Sequence, residues 1–184
     1  KGLKECFGND IILISDVDEF PDIDKFKLFN GNLTVFKQVM FYFKLNLRVR
    51  NFDHDSGDGL WPGTRMLNFR LFKKINNVQK IRNFKAKKYG WWRLDKPRLN
   101  IINYGGWHFR FFGSSKNLKH ELENRAIGRG ENILSSYSES DINNIIKNRL
   151  PFTTEEERYE VYPFSKMPDF IKLNKEKHID SLII

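Results

Sequence analysis

Apolar and polar residues alternate along this chain in blocks that predict a succession of short strands and helices. The first block is Ile11-Ile-Leu-Ile14, closed by Asp10 on one side and by Ser15-Asp16 on the other. So short an apolar run between polar residues predicts a buried strand over residues 11–15. Pro21 then stands ahead of a helix expected over 23–29, and Asn30-Gly-Asn32 reads as a turn. Residues 33–47, rich in β-branched and aromatic side chains, predict one long or broken strand. A surface loop follows over 51–63, with Asp53, His54, Asp55 and Asp58. The pattern then predicts a strand over 64–72, a basic helix over 76–88, and strands over 101–103 and 107–112 with Gly105-Gly106 between them. Helices are expected over 114–126, over 138–149 and over 169–183. The second of these opens on Ser138 with Asp141 three residues on, the spacing of a capping box.

The first strand runs directly into Asp16-Val-Asp18-Glu19. The carboxyl ends of strands are where open α/β sheets hold ligands. Two carboxylates two residues apart, with a third beside them, repel one another unless a cation sits among them. Asp16 and Asp18 are therefore candidate ligands for a divalent metal that holds a phosphorylated substrate. The plainer reading of a D-x-D is a solvated acidic turn. A second chemical stretch is Gly105-Gly-Trp-His-Phe-Arg-Phe-Phe-Gly-Ser-Ser-Lys116. Its imidazole, His108, suits a carboxylate-bound Mn²⁺ (or Mg²⁺) site, the alternative being a hydrogen-bonding role within a strand. Lys116 is placed to face a phosphate, and Gly113-Ser114-Ser115 opens a helix whose N–H groups suit anions.

Composition narrows the class. With 184 residues and 40% hydrophobic content, the chain can build one good core, and 1–184 reads as a single domain. Seventeen Phe, six Tyr and four Trp supply that core and leave aromatics over for sugar or base platforms. A single cysteine, Cys6, excludes an internal disulfide and a multi-cysteine zinc site. No apolar run is long enough to span a membrane. The net charge of +9 is uneven: residues 1–24 are acidic, whereas 65–98 hold twelve Lys or Arg against Asp95 alone. An acidic nest beside a basic surface suits a nucleotide diphosphate.

Ile11-Ile-Leu-Ile-Ser-Asp-Val-Asp-Glu-Phe-Pro21 and Gly106-Trp-His-Phe-Arg-Phe-Phe-Gly113 together resemble glycosyltransferase family 17, which contains the bisecting β-1,4-N-acetylglucosaminyltransferases of N-glycans. Phe41-Tyr-Phe-Lys-Leu-Asn46, Gly63-Thr-Arg65, His120-Glu121 and Met167-Pro-Asp-Phe-Ile171 extend the resemblance over nearly the whole chain. It implies an α/β fold of the GT-A type, with a mixed sheet flanked by helices. It also implies inverting transfer of N-acetylglucosamine from UDP-GlcNAc to a glycan acceptor, with Mn²⁺ held by the D-x-D turn and by His108. Such folds carry a nucleotide-binding portion ahead of that turn. Because only fifteen residues precede Asp16, part of the N-terminal half is expected to lie outside these residues, leaving Ile11–Ile14 as an exposed apolar edge.

The roles expected on this reading can be set out by residue. Asp16, Asp18 and His108 hold the metal. Arg110 or Lys116 meets the phosphates, and Glu19 holds the donor sugar or orders the turn. Trp107 offers a face for a sugar. Glu121 and Asp58 are the candidate bases for the acceptor hydroxyl. Two other classes remain. A haloacid-dehalogenase-type phosphatase also carries D-x-D after an apolar strand, although Glu19-Phe20 do not fit its pattern. A nucleic-acid-binding module built on residues 65–98 would leave the acidic turn unexplained; no nucleic-acid partner is expected on the main reading. The compartment is not legible: an N-glycan enzyme with an upstream anchor belongs to the Golgi lumen, a microbial or viral one to the cytoplasm.

Overall fold

The computed structural model describes residues 3–50, 59–87, 90, 92, 98–129 and 137–183. Among these, eight strands form: β1 (Ile11–Ile14), β2 (Glu19–Pro21), β3 (Leu33–Tyr42), β4 (Leu47–Arg50), β5 (Trp61–Asn68), β6 (Leu99–Ile102), β7 (Gly106–Arg110) and β8 (Arg158–Val161). The α-helices are α1 (Phe69–Ile75), α2 (Val78–Arg82), α3 (Ser115–Arg129), α4 (Glu139–Asn148) and α5 (Asp169–Leu173). The sheet is mixed: β3 and β6 run parallel, whereas β1–β5, β2–β7, β3–β4, β3–β5 and β4–β8 are antiparallel. The chain is thus an α/β protein. No helix among the described residues is long and apolar enough to cross a membrane.

The chain divides into two compact units, Lys1–Val39 with Asp55–His108, and Met40–His54 with Phe109–Ile184. In the first, β3 is the central strand. Every residue of Leu33–Tyr42 is buried, and β3 is paired along both edges, with β5 on one and β6 on the other. Going from the pair Val35–Arg65 to the pair Lys37–Pro62, β3 advances two residues and β5 three. The extra residue is a bulge at Gly63-Thr64, which turns this part of β5 out of the regular ladder.

β1 corrects the expectation of a strand buried throughout. It pairs only with β5 among the described residues, so it is an edge strand. Its side chains alternate: Ile12 and Ile14 pack on the core of Leu33, Leu67 and Ile81, while Ile11 and Leu13 are 47% and 43% exposed. Four apolar residues in a row cannot all face inward when only one face of the pleat is covered.

Three other expectations shift for local reasons. The strand expected over 64–72 ends at Asn68, whose side chain accepts from Leu71 N (2.8 Å) and starts α1. The basic helix expected over 76–88 is reduced to α2. Asn76 closes α1 in the left-handed region (φ 47°), and Asn77 caps α2 by accepting from Lys80 N (2.8 Å). The helix expected over 23–29 is a 3₁₀ helix, Ile23–Leu28, capped by Asp22. Neither β2 nor β8 is anticipated by the hydrophobic pattern.

In the second unit β4 pairs with β8, and α3 packs on α4. The capping box of Ser138 and Asp141 is present and opens α4, and the Ser138 hydrogen bonds hold the Asp141 carboxyl below its ordinary range. Glu157, fully buried, accepts from Phe152 N (2.9 Å), Thr153 N (3.0 Å) and Tyr159 Oη (2.9 Å). Burial, and then the Glu157 charge, pushes the Tyr159 phenol up. The helix expected over 169–183 breaks at Asn174 into α5 and a 3₁₀ helix, Lys175–Ser181. Beyond it, Asn46 clamps Ile183 through both its carbonyl (2.7 Å) and its amide (2.8 Å).

The anchor of α2 is Ile81, its one buried side chain, inserted beside Leu33 and Leu67. Ile81→Ala is expected to cost about 2–5 kcal/mol. Chemical denaturation of the two proteins checks this; a loss below about 1 kcal/mol would show that α2 is held in some other way.

Candidate functional site

The turn that follows β1 is built around one carboxylate. Glu19, 9% exposed, closes the turn with its backbone, its N–H donating to Asp16 O (3.1 Å). Its Oε2 accepts from Asp16 N (3.2 Å) and from Ser15 Oγ (3.4 Å). Its Oε1 accepts from the Trp61 indole N–H (2.8 Å). Ser15 and Thr64 hydroxyls meet at 2.7 Å, and Gln38 Nε2 donates to Thr64 Oγ1 (3.2 Å). A polar seam thus runs under the turn from β1 across β5 to β3. Gly63 sits against this seam: a Cβ there would lie 2.0 Å from Gln38 Oε1 and 3.1 Å from Glu19 Cδ.

β2 carries Glu19 to β7. The register pairs Glu19 with His108, Phe20 with Trp107 and Pro21 with Gly106. Gly106 makes the close approach possible. Its φ is +148°, and a Cβ would stand 2.2 Å from Phe20 O. Through this pairing, side chains ninety residues apart in sequence come together. His108, 4% exposed, sits with Nε2 at 3.3 Å from Asp18 Oδ2. The two are at ion-pair distance but not aligned as a hydrogen bond, and neither ring nitrogen of His108 has a hydrogen-bond partner. Trp61 packs edge-on against the imidazole, centroids 5.0 Å apart at 73°.

Asp16 faces elsewhere. Its Oδ2 lies 2.5 Å from Arg82 Nη2, a pair whose side chains are 41% and 42% exposed. Behind Arg82 stands Arg65, 3% exposed. Arg65 Nη1 donates to Pro62 O (2.6 Å) and to Gly63 O, and Nη2 donates to Arg82 O (3.0 Å). It clamps the β5 bulge to the end of α2. Burial pushes the Arg65 guanidinium down to about 10, with the Glu19 charge opposing that shift and Arg82 adding to it.

The two aspartates thus have different partners, Arg82 for Asp16 and His108 for Asp18. Among the described residues no three His, Cys, Asp or Glu side chains converge on one point for a metal. The orphaned nitrogens of His108 beside Asp18 fit a borderline divalent cation. Asp16 has one carboxylate oxygen, Oδ2, engaged by Arg82.

Trp107 is half-buried on β7, where strand alternation turns it to the face opposite His108. Arg110, Lys116 and Glu121 belong to the second unit. The Arg110 guanidinium lies 4.7 Å from the Phe111 ring centroid, Lys116 is exposed in the first turn of α3, and Glu121 is half-buried on the same helix. Asp58 lies outside the described residues, as do Asp53, His54 and Asp55. Sequence reasoning missed Trp61, Arg65 and Arg82 as site residues. Gly63-Thr-Arg65 is at least a marked turn in the sequence, but nothing local distinguishes Arg82 from its basic neighbours.

Comparison with protein-family models, curated proteins and solved structures returned no match.

Gly106→Ala is expected to force β2 away from β7, at a cost of more than about 2 kcal/mol, and to uncover His108. Mass spectrometry after diethylpyrocarbonate treatment reads this as faster modification of His108. Unchanged protection would mean that the β2–β7 contact does not depend on the glycine. Glu19→Ala leaves the Trp61 N–H and the Asp16 N–H without their acceptor and should lower stability by about 2–3 kcal/mol. The indole N–H resonance of Trp61 should move with it, and a stationary resonance would remove Glu19 as the organiser of the turn.

Proposed function

We propose that this chain carries the metal and diphosphate end of a glycosyltransferase site of the family 17 type, transferring N-acetylglucosamine from UDP-GlcNAc to a glycan acceptor with inversion. The observation that carries the reading is the β2–β7 pairing, which sets Asp18 3.3 Å from a buried imidazole with no hydrogen bond. A buried imidazole without a hydrogen-bond partner, set beside a carboxylate, suits a divalent cation. The resemblance in sequence points to the same pair of motifs.

Asp18 and His108 would hold the divalent ion, with Asp16 joining on release from Arg82. The ion would supply charge stabilisation for the departing diphosphate. Glu19 keeps Asp16 and Asp18 at the tip of the turn by tying the turn to Trp61 and Ser15. Trp61 shields the imidazole edge-on, so that water has limited access to it. A phosphate role for Arg110 and Lys116, a sugar face on Trp107 and a base at Glu121 or Asp58 are expectations of the sequence alone, and Trp107 is turned away from His108. The mixed α/β sheet is consistent with a GT-A arrangement.

The test is binding and hydrolysis of UDP-GlcNAc in Mn²⁺, with and without chelator. Chelation and Asp18→Asn are each expected to reduce UDP release at least about 100-fold. Metal-dependent release that survives Asp18→Asn unchanged would overturn the reading. A second reading rests on the exposed Arg70, Lys73, Lys74 and Lys80, which suit a nucleic-acid backbone. Oligonucleotide binding that falls steeply with salt and ignores Mn²⁺ would favour it.

A further inference from the structure

We propose that Asn30 is a self-modifying site: the turn ahead of β3 closes on itself, loses the side-chain amide as ammonia, and leaves an aspartyl or isoaspartyl residue. The proposal stands apart from the glycosyltransferase reading and uses none of its residues.

Four observations carry it. Of all the asparagines in the chain, Asn30 alone is followed by glycine. Both residues are exposed, in the turn between the 3₁₀ helix Ile23–Leu28 and β3. Gly31 has φ +83°, and a Cβ built on it would meet nothing within 4 Å, so the turn has room to rearrange. Asn30 Oδ1 accepts from Asn32 N (3.2 Å), an Asx turn that folds the side-chain carbonyl back over the Asn30–Gly31 peptide. Neither the Gly31 N–H nor the Asn30 amide nitrogen has a hydrogen-bond partner among the described residues.

The chemistry balances with water alone. Gly31 N loses its proton to hydroxide and attacks Asn30 Cγ. A Cγ–N bond forms and closes a five-membered succinimide, the Cγ–Nδ2 bond breaks, and Nδ2 leaves as ammonia with a proton taken from water. Nothing is oxidised or reduced. A second water opens the ring at one carbonyl to give aspartate, or at the other to give an isoaspartyl link whose main chain runs through Cβ and Cγ. Glycine matters because no side chain crowds the attacking nitrogen. The Asn32 N–H stands at the oxygen on which negative charge develops, as an oxyanion donor does. Asn68 and Asn77 also accept from backbone N–H groups, but they cap helices and are followed by Phe69 and Val78, whose side chains stand in the way. The isoaspartyl product adds a methylene to the main chain between two fixed points. Leu28 O accepts from Asn100 Nδ2 (2.8 Å) on one side, and Leu33, fully buried, pairs with Leu99 on the other.

The test ages the folded chain in heavy-oxygen water at mildly alkaline pH, beside a synthetic peptide of residues 26–35, and reads both by peptide mapping and mass spectrometry. Asn30 should be the first asparagine modified, should take up one heavy oxygen, and should react at no less than about a third of the rate in the unstructured peptide, since the turn already holds the reacting atoms together. The rate should rise with pH, because the attacking nitrogen must lose its proton. Gly31→Ala should slow the reaction at least about tenfold. Asn30→Gln, which keeps the amide but needs a larger ring, should leave position 30 unmodified without the strain that a side chain meets at the Gly31 φ. Methylation by an isoaspartyl methyltransferase should label aged wild type and not aged Asn30→Gln. A folded chain in which Asn30 reacts more slowly than that third, or in which another asparagine reacts first, overturns the proposal.

Discussion

The buried carboxylate of Glu19 is the constraint on which the first unit turns. A charge this far from water is tolerated only when its oxygens are filled by donors, and here they are filled by Trp61, Ser15 and the N–H of Asp16. Those three partners come from β5, from the end of β1 and from the turn itself. Satisfying one side chain therefore fixes the turn, orients the two aspartates and joins two strands. The second unit solves the same problem in the same way. Glu157 is satisfied by two backbone N–H groups and a phenolic hydroxyl, and so pins the segment that leads into β8.

Around Glu19 the cations form a graded series. Arg65 is sealed in, with its donors spent on backbone carbonyls of the β5 bulge and of α2. Arg82, one layer out, meets Asp16 in a half-exposed pair. The inner cation is a structural clamp whose burial disfavours its charge, whereas the outer one is in contact with solvent.

The close approach of β2 and β7 completes the arrangement, and it depends on backbone space. Gly106 admits Phe20 O where any side chain would collide, and Gly63 leaves room for Gln38 at the bulge. Removing the side chain at those two positions lets a carboxylate turn and an imidazole strand pack against each other.

Much of this was legible in the sequence, for reasons that are local. Residues 33–42 are β-branched and aromatic because a central strand is covered on both faces. Ser138 and Asp141 marked a helix start because a capping box lies within four residues. Asp16, Asp18 and His108 stood out because carboxylates and imidazoles crowded into apolar surroundings are chemically conspicuous. Other features lay beyond it. Whether Ile11–Ile14 is buried depends on how many neighbours β1 has, and a run of apolar residues looks the same at the centre and at the edge of a sheet. Asn68 and Asn76 ended elements that hydrophobic periodicity would have continued, because a side-chain cap outweighs a weak propensity. Above all, Asp18 meets His108, and Asp16 meets Arg82, only through strand register and the placement of α2. Residue types declare which chemistry is available within a few positions of each other; contacts across ninety and sixty-six residues are decided by the packing of the folded chain.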